Sequence, residues 1–224
     1  MSELRPIRFE LRAGAITALP LAIAVGLFGV SFGVLSVSTG GMGALPAIAM
    51  SVTTFAGSAQ FAAASILAGG GQPIAAIAAA LLLNARYLPI GVSVAPFLRG
   101  GPLRRLVTAQ LVVDESWAIA SRGDGRFDPQ RLVGAGVVLW LAWVSGTVIG
   151  VLGGEALGDP VVLGLDAAFP ALFLALLMLQ IGGGRAVVAA LLGAGIALAL
   201  VPFTPAGVPI IAAAGAALIG LARR

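Results

Sequence analysis

Residues 51–70 read S-V-T-T-F-A-G-S-A-Q-F-A-A-A-S-I-L-A-G-G. They lie inside a stretch, Ala13 to Ala85, in which no residue carries a charge. Wound as helix, that stretch would be about 110 Å long. A bilayer core is about 30 Å thick, so it amounts to more than three crossings. Its middle is not built like lipid-facing helix. In a continuous helix Ser51, Thr54, Ser58 and Ser65 form one polar stripe. Thr53, Gly57, Gln60 and Ala64 form a second, small except for Gln60. An amide without a partner in hydrocarbon is costly. Gln60 is therefore expected to face other helices or a water-filled cavity, and the segment to line a substrate path. Close helix packing is the competing explanation for the Ser/Thr stripe.

Working outward, the composition agrees. The chain is 59% hydrophobic and 10% charged, with mean hydropathy +1.08, which no soluble domain of this size needs. It reads as an all-α polytopic membrane protein, one integral domain over 1–224. All 13 basic residues are Arg. Without Lys there is no Walker-type phosphate loop. Without Cys there is no disulfide, thiol nucleophile or Cys-based metal site. Without His the usual near-neutral proton carrier is missing. No cofactor is expected. The Arg residues sit at the ends of apolar segments, where membrane topology places them, so the net charge of +4 is not a nucleic-acid signal. The apolar run after Arg12 reaches Val37, too long for a signal core, and reads as an uncleaved first helix.

About seven to eight hydrophobic segments are expected, some broken or re-entrant. Residues 1–12 read as a charged interfacial tail. Helix one, about 14–37, carries Gly26, Gly29 and Gly33 on one face, a seam on which membrane helices approach. Residues 44–68 form the polar-striped segment, weakest at Phe55-Ala56-Gly57. Residues 74–98 read as one helix with Asn84 and Arg86 near its middle. Residues 106–121 are apolar except for Asp114 and Glu115. Residues 122–131 read as solvent-facing loop and 132–154 as an uncharged helix. Residues 163–182 hold Asp166 and Pro170. Residues 186–201 and 206–222 read as two short helices.

Basic loops belong in the cytoplasm. Placing the N-terminal tail, the Arg99–Arg105 loop, Arg185 and the C-terminal Arg pair there requires an even number of crossings between residues 13 and 98. Three apolar segments lie in that interval, so one, most simply 44–68, must be broken or re-entrant. The same argument makes 106–121 suspect. Broken helices at paired positions mark secondary transporters. A two-repeat plan, with halves 13–98 and 130–222, is suggested by an echo: Phe55 to Gln60 with Gly69-Gly70 recurs as Phe169 to Leu174 with Gly183-Gly184.

Ionisable groups inside apolar segments cost about 2.5–3.5 kcal/mol each on insertion scales. Arg86, Asp114, Glu115 and Asp166 stand out. Asp114 or Glu115 is the expected partner of Arg86, and the reading gives Asp114 that contact and Glu115 a coupled proton. Pro170 is expected to open a helical turn whose free amides bind a substrate carboxylate. The broken ends at Phe55–Gly57 offer the same.

Four segments in combination, F-A-G-S-A-Q-F (55–61), L-N-A-R-Y-L-P-I-G (83–91), V-D-E-S-W-A-I (113–119) and G-L-D-A-A-F-P-A-L-F (164–173), resemble the AzlC/BrnF/YgaZ family. These are large subunits of bacterial branched-chain amino-acid exporters. The resemblance implies export of leucine, isoleucine, valine and sometimes methionine across the inner membrane, driven by the proton-motive force. It also implies a small membrane partner of the AzlD/BrnE/YgaH type. The family motif positions carry over as Gly57, Gln60, Asn84, Arg86, Asp114, Glu115, Asp166 and Pro170. Tyr87 stands where the family often has His, so any proton role for that His is absent here.

The favoured reading is therefore an alternating-access exporter of zwitterions with apolar side chains, using Gly57, Ser58, Gln60, Asn84, Arg86, Asp166 and Pro170 for substrate. Asp114 and Glu115 would carry the coupling. A passive channel would need a continuous polar pore. A structural subunit would use the same polar residues only to bind its partner. An enzyme is least favoured, since a catalytic set would have to be built from carboxylates and Ser alone.

Overall fold

The computed structural model describes residues 7–38, 42–122, 126–157, 174, 177–178, 183–205 and 208–217. These are helical apart from turns and one isolated bridge, Ser121 to Phe127. Two long helices form the frame: α1 (Ile7–Ser38) and the helix at Pro129–Leu157, numbered α8 below. Both are apolar and long enough to cross a membrane. Their hydroxyl residues do not disturb this. Thr17, Ser31 and Ser38 in α1 donate back to the carbonyl four residues earlier, as do Ser145 and Thr147 in the second helix.

The two helices run parallel, backbone against backbone. Gly14 lies opposite Arg131, Gly26 opposite Gly146, and Gly33 opposite Thr147 and Gly150. A Cβ on Gly29 would stand 2.6 Å from the Trp143 carbonyl oxygen. The glycine seam expected on helix one is thus matched by Gly134, Gly146 and Gly150 on the other helix. Parallel packing puts Glu10 beside Arg131, 2.9 Å apart, at one end of the molecule. Ser36 and Met42 lie at the opposite end.

Between these helices the chain folds as two hairpins and one bent rod. α2 (Ala44–Thr53) runs back along the frame, with Ser51 Oγ 2.9 Å from Thr147 Oγ1. It stops at Thr54–Ala56, where Phe55 has φ 42. That is an unusual conformation for a bulky residue. α3 (Gly57–Ala68) then returns, so Met50 packs on the cluster of Ala63 and Ile66. It closes with a Schellman cap, Gly70 at φ 75 and the Gly71 N–H on the Ile66 carbonyl. The polar stripes read from a continuous helix are therefore corrected. The break puts Ser51 and Ser58 on different helices, leaves Ser65 exposed, and pairs Ser51 with Gln60 from the other stripe.

α4 (Pro73–Asn84) starts on Pro73 and packs Ala76 and Ala79 against α3. The expected single helix over 74–98 is in fact two, α4 and α5 (Tyr87–Val94), with a 45° bend. Pro89 is the cause. It has no N–H for the Ala85 carbonyl, which accepts instead from Leu88 at 3.1 Å. Taken as one bent span, the pair is long and apolar enough to cross. It ends near the α8 start, since Val94 joins the buried cluster of Ala120, Phe127 and Leu132.

α6 (Pro102–Ala109) turns back, and Gln110 at its end reaches the α2 tip. α7 (Asp114–Ala120) then descends to Phe127. The apolar segment 106–121, suspect in the sequence, is thus broken, and Asp114 and Glu115 open the second of its helices. Ser116 Oγ there accepts the Val113 N–H and donates to the Leu111 carbonyl. The segment 122–131 is likewise not simply solvent-facing. Phe127 and Asp128 are buried, Asp128 pairs with Arg122, and its Oδ1 accepts the N–H groups of Gln130 and Arg131 to start α8. Burial alone would raise the Asp128 pKa. The hydrogen bond from Arg122 and the two backbone N–H groups outweigh it and hold the carboxyl below its usual range.

Beyond α8, α9 (Gly184–Leu200) and α10 (Val208–Ala214) pack on each other, and α10 on α4. Among the described residues the crossing-length spans number two, or three with the bent pair; α2, α3 and α9 are shorter apolar helices. The second half of the internal echo, at 169–174, lies almost wholly outside the described residues.

Candidate functional site

The hairpin tips are held by side-chain amides and an indole. Gln60 is fully buried. Its Oε1 accepts the Ala56 N–H at 3.2 Å and its Nε2 donates to Ser51 Oγ at 2.9 Å. The last carbonyls of α2 accept from outside the hairpin. Gln110 Nε2 donates to Thr53 at 2.7 Å, and Trp140 Nε1 to Val52 at 3.1 Å. With no water in a bilayer core, such carbonyls need partners of this kind. Behind the tip, Phe32 stacks on Trp143 and Phe61 meets both edge-to-face, with ring centroids 5.6–6.3 Å apart, tying α1, α3 and α8 together.

In front of the tips lies a cavity of about 80 Å³. Gly57 and Ser58 contribute to it from the α3 start, Arg86 and Tyr87 from the α4–α5 break, and Asp114 and Glu115 from the α7 start. Val25, Phe28, Leu139 and Trp143 supply apolar wall. Gly57 packs closely on the Trp143 ring, and a Cβ there would stand 3.0 Å from it, so the ring would have to give. Arg86 is the hub. Its Nη2 lies 3.2 Å from Asp114 Oδ2 and donates to Ser58 Oγ at 3.1 Å and Tyr87 Oη at 3.3 Å. The guanidinium also covers the Tyr87 ring at 5.1 Å. Two donors of this wall, Arg86 Nε and Trp143 Nε1, are buried without a hydrogen-bond partner among the described residues. Buried donors rarely stay unpaired.

Of the residues singled out in the sequence, the structure gathers Gly57, Ser58, Arg86, Asp114 and Glu115 around one cavity. Of the two acids offered as partner for Arg86, Asp114 makes the contact. Gln60 and Asn84 do not line the cavity. Gln60 spends both ends of its amide within the hairpin, and Asn84 keeps a buried Oδ1 with no partner among the described residues. Asp166 and Pro170 lie outside the described residues. Sequence reading gave no role in this wall to Trp143, and it passed over Gln110. A lone amide in the apolar run 106–113 is the same signal that singled out Gln60.

The family model described as AzlC protein matches residues 20–157. The chain is also 30% identical over 202 residues to the branched-chain amino acid transport protein AzlC of Bacillus subtilis (strain 168), covering 89% of this chain and 79% of that protein. The chain belongs to the AzlC family. A second relative, an uncharacterized membrane protein of Archaeoglobus fulgidus, is 33% identical over 216 residues, 93% of this chain and 94% of its own. No solved structure matches. The AzlC match contains both hairpins and every residue of the cavity wall, from Val25 to Trp143. α9 and α10 fall outside it. With long apolar helices and these relatives, this AzlC-family chain is a membrane protein.

Proposed function

We propose that the chain transports amino acids with branched apolar side chains outward across the cytoplasmic membrane, by alternating access coupled to protons. One observation carries this reading: Arg86 and Asp114, opposite charges 3.2 Å apart, stand in the wall of a mostly apolar cavity. A zwitterion can exchange with that pair. Its carboxylate takes Arg86, whose buried Nε has no partner among the described residues, together with Ser58 and the first N–H groups of α3. Its ammonium takes Asp114 or Glu115. Val25, Phe28 and Leu139 receive the side chain. The name of the Bacillus subtilis relative supports the substrate class. A small membrane subunit of the AzlD/BrnE/YgaH type would complete the transporter.

The opposed hairpins support alternating access. α2–α3 enters from one end of the frame and α6–α7 from the other, and they meet at Gln110. Each closes the cavity from its own side. Binding that favours one hairpin over the other exposes the site alternately.

Labelled leucine offered to everted membrane vesicles containing the chain, with and without its small partner, tests this. Accumulation that depends on a pH gradient is the expected result. Equilibration without accumulation would make the protein a channel. No movement under either condition would reduce it to a structural subunit.

A further inference from the structure

We propose that the groove between α5 and α6 is an outer binding site for the same amino acid, and that Tyr87 is the gate from it to the Arg86–Asp114 cavity. This rests on the transport reading above. The outer groove measures about 440 Å³ and is lined by Gly91, Val94, Leu98, Arg105, Leu106 and Val112 among others. Small-molecule sites run to roughly 300–1,000 Å³. The groove falls in that range, and the inner cavity, at about 80 Å³, does not. The groove is large enough for a whole amino acid, whereas the cavity must widen to take in the side chain.

Among the described residues, Tyr87 alone lines both. Its hydroxyl and ring face are both engaged by Arg86, at 3.3 Å and 5.1 Å. Passage from groove to cavity must therefore part Tyr87 from Arg86. A carboxylate is suited to do this, because it offers Arg86 a charged acceptor in place of a neutral phenol. The backbone is prepared for the movement. Tyr87 follows the α4–α5 break, where Pro89 has already removed one helical hydrogen bond. The groove walls are chiefly apolar, and Arg105 is exposed at the rim, its Nη2 3.5 Å from the Ala95 carbonyl oxygen. That is the chemistry of a waiting site for an apolar amino acid presented carboxylate first. The groove lies toward the same end as Leu132 and the Arg-bearing loops.

The chain has no cysteine, so one reporter can be placed without background. Val113→Cys puts a thiol in the inner wall, and its alkylation by a small water-soluble reagent is timed on purified protein in detergent. Tyr87→Ala is expected to speed labelling at least tenfold. Tyr87→Phe, which loses the Arg86 hydrogen bond and keeps the ring, gives a smaller rise and serves if the alanine variant does not fold. Adding Gly91→Trp, where a Cβ meets nothing within 4 Å, fills the groove and should cancel the rise. Unchanged labelling in the Tyr87 variants overturns the gate, and a rise that survives Gly91→Trp overturns the route. The same Gly91→Trp change in the otherwise native chain should cut leucine flux at least tenfold in vesicles. If labelling behaves as expected and the native protein moves no leucine, the gate stands and the substrate reading fails. If leucine moves and labelling does not respond, the gate fails alone.

Discussion

At the scale of the residue, the three cavity charges divide their work by geometry. Asp114 is engaged by Arg86, so under the proposed proton coupling the proton is assigned to Glu115, the other carboxylate of the cavity among the described residues. Glu115→Gln keeps the shape and removes the proton site. The variant should still exchange leucine across vesicles but lose accumulation driven by a pH gradient, whereas Asp114→Asn should weaken binding itself and raise KM. The reverse pattern would exchange the two roles. A third carboxylate, Asp128, lies outside the cavity, where it caps α8 and pairs with Arg122. Asp128→Ala should cost about 1 kcal/mol, as lost N-caps do, and Asp128→Asn less, because its amide oxygen still accepts. The folded pKa is lowered, so the ionic stabilisation is fully present above the unfolded value of about 3.9 and fades as pH falls through the folded one. Melting curves of native protein and Asp128→Asn should differ at pH 6 and converge only as pH falls through the lowered folded value. The ionisable members of the site were legible because charge in an apolar run is expensive. Gln60 was legible as a partnered amide. Its partners were not, because they lie across a chain reversal that helical periodicity cannot show.

At the scale of the element, the α1–α8 contact is decided by glycine. Gly146 and Gly150 would each drive a Cβ into the α1 backbone, at the Gly26 and Val30 carbonyls, while a Cβ on Gly153 of the same helix meets nothing within 4 Å among the described residues. Backbone cannot rotate aside as a side chain can. Gly150→Ala should therefore destabilise by at least the 1–3 kcal/mol typical of overpacking, about enough to lower the midpoint by several degrees in detergent. Gly153→Ala should be neutral or slightly stabilising, since Ala outranks Gly in helices by about 1 kcal/mol. Equal effects at the two sites would remove the seam from the account. The seam on helix one was readable from three glycines at helical spacing. Its parallel partner was not, because composition gives no relative direction. The breaks were unevenly readable. Phe55-Ala56-Gly57 announced one, but the bend at Ala85–Arg86 was hidden in a segment apolar enough around Asn84 and Arg86 to read as one helix, although Pro89 four residues beyond Ala85 was its cause.

At the scale of the whole molecule, the parallel frame fixes what the loops must do. α1 and α8 start at the same end, so the chain between them crosses a net odd number of times. The hairpins contribute none: α2–α3 leaves and returns at the far end, and α6–α7 leaves and returns at the near end. The bent α4–α5 rod, long and apolar enough to cross if taken as one span, is then the candidate for the return crossing. This arrangement gathers Arg12, Arg99, Arg104, Arg105, Arg122, Arg126 and Arg131 at one end and leaves Gly43 and Gly69–Gln72 at the other. That end is the one the positive-inside rule assigns to the cytoplasm, and it is the orientation for which the charge pattern required 44–68 to be re-entrant. The alternative threads both hairpins straight through as two more crossings, which also makes an odd total but strands Arg99, Arg104 and Arg105 outside. Single cysteines at Gly71 and Gly101 separate the two, because a Cβ at Gly101 meets nothing within 4 Å and Gly71 lies in an exposed or half-exposed turn. With re-entrant hairpins, an impermeant thiol reagent added to intact cells should label Gly71→Cys and spare Gly101→Cys, and everted vesicles should give the opposite. With threaded hairpins the two cysteines exchange sides. Labelling of Gly101→Cys from outside would therefore remove the opposed-hairpin geometry, and with it the alternating-access argument built on it.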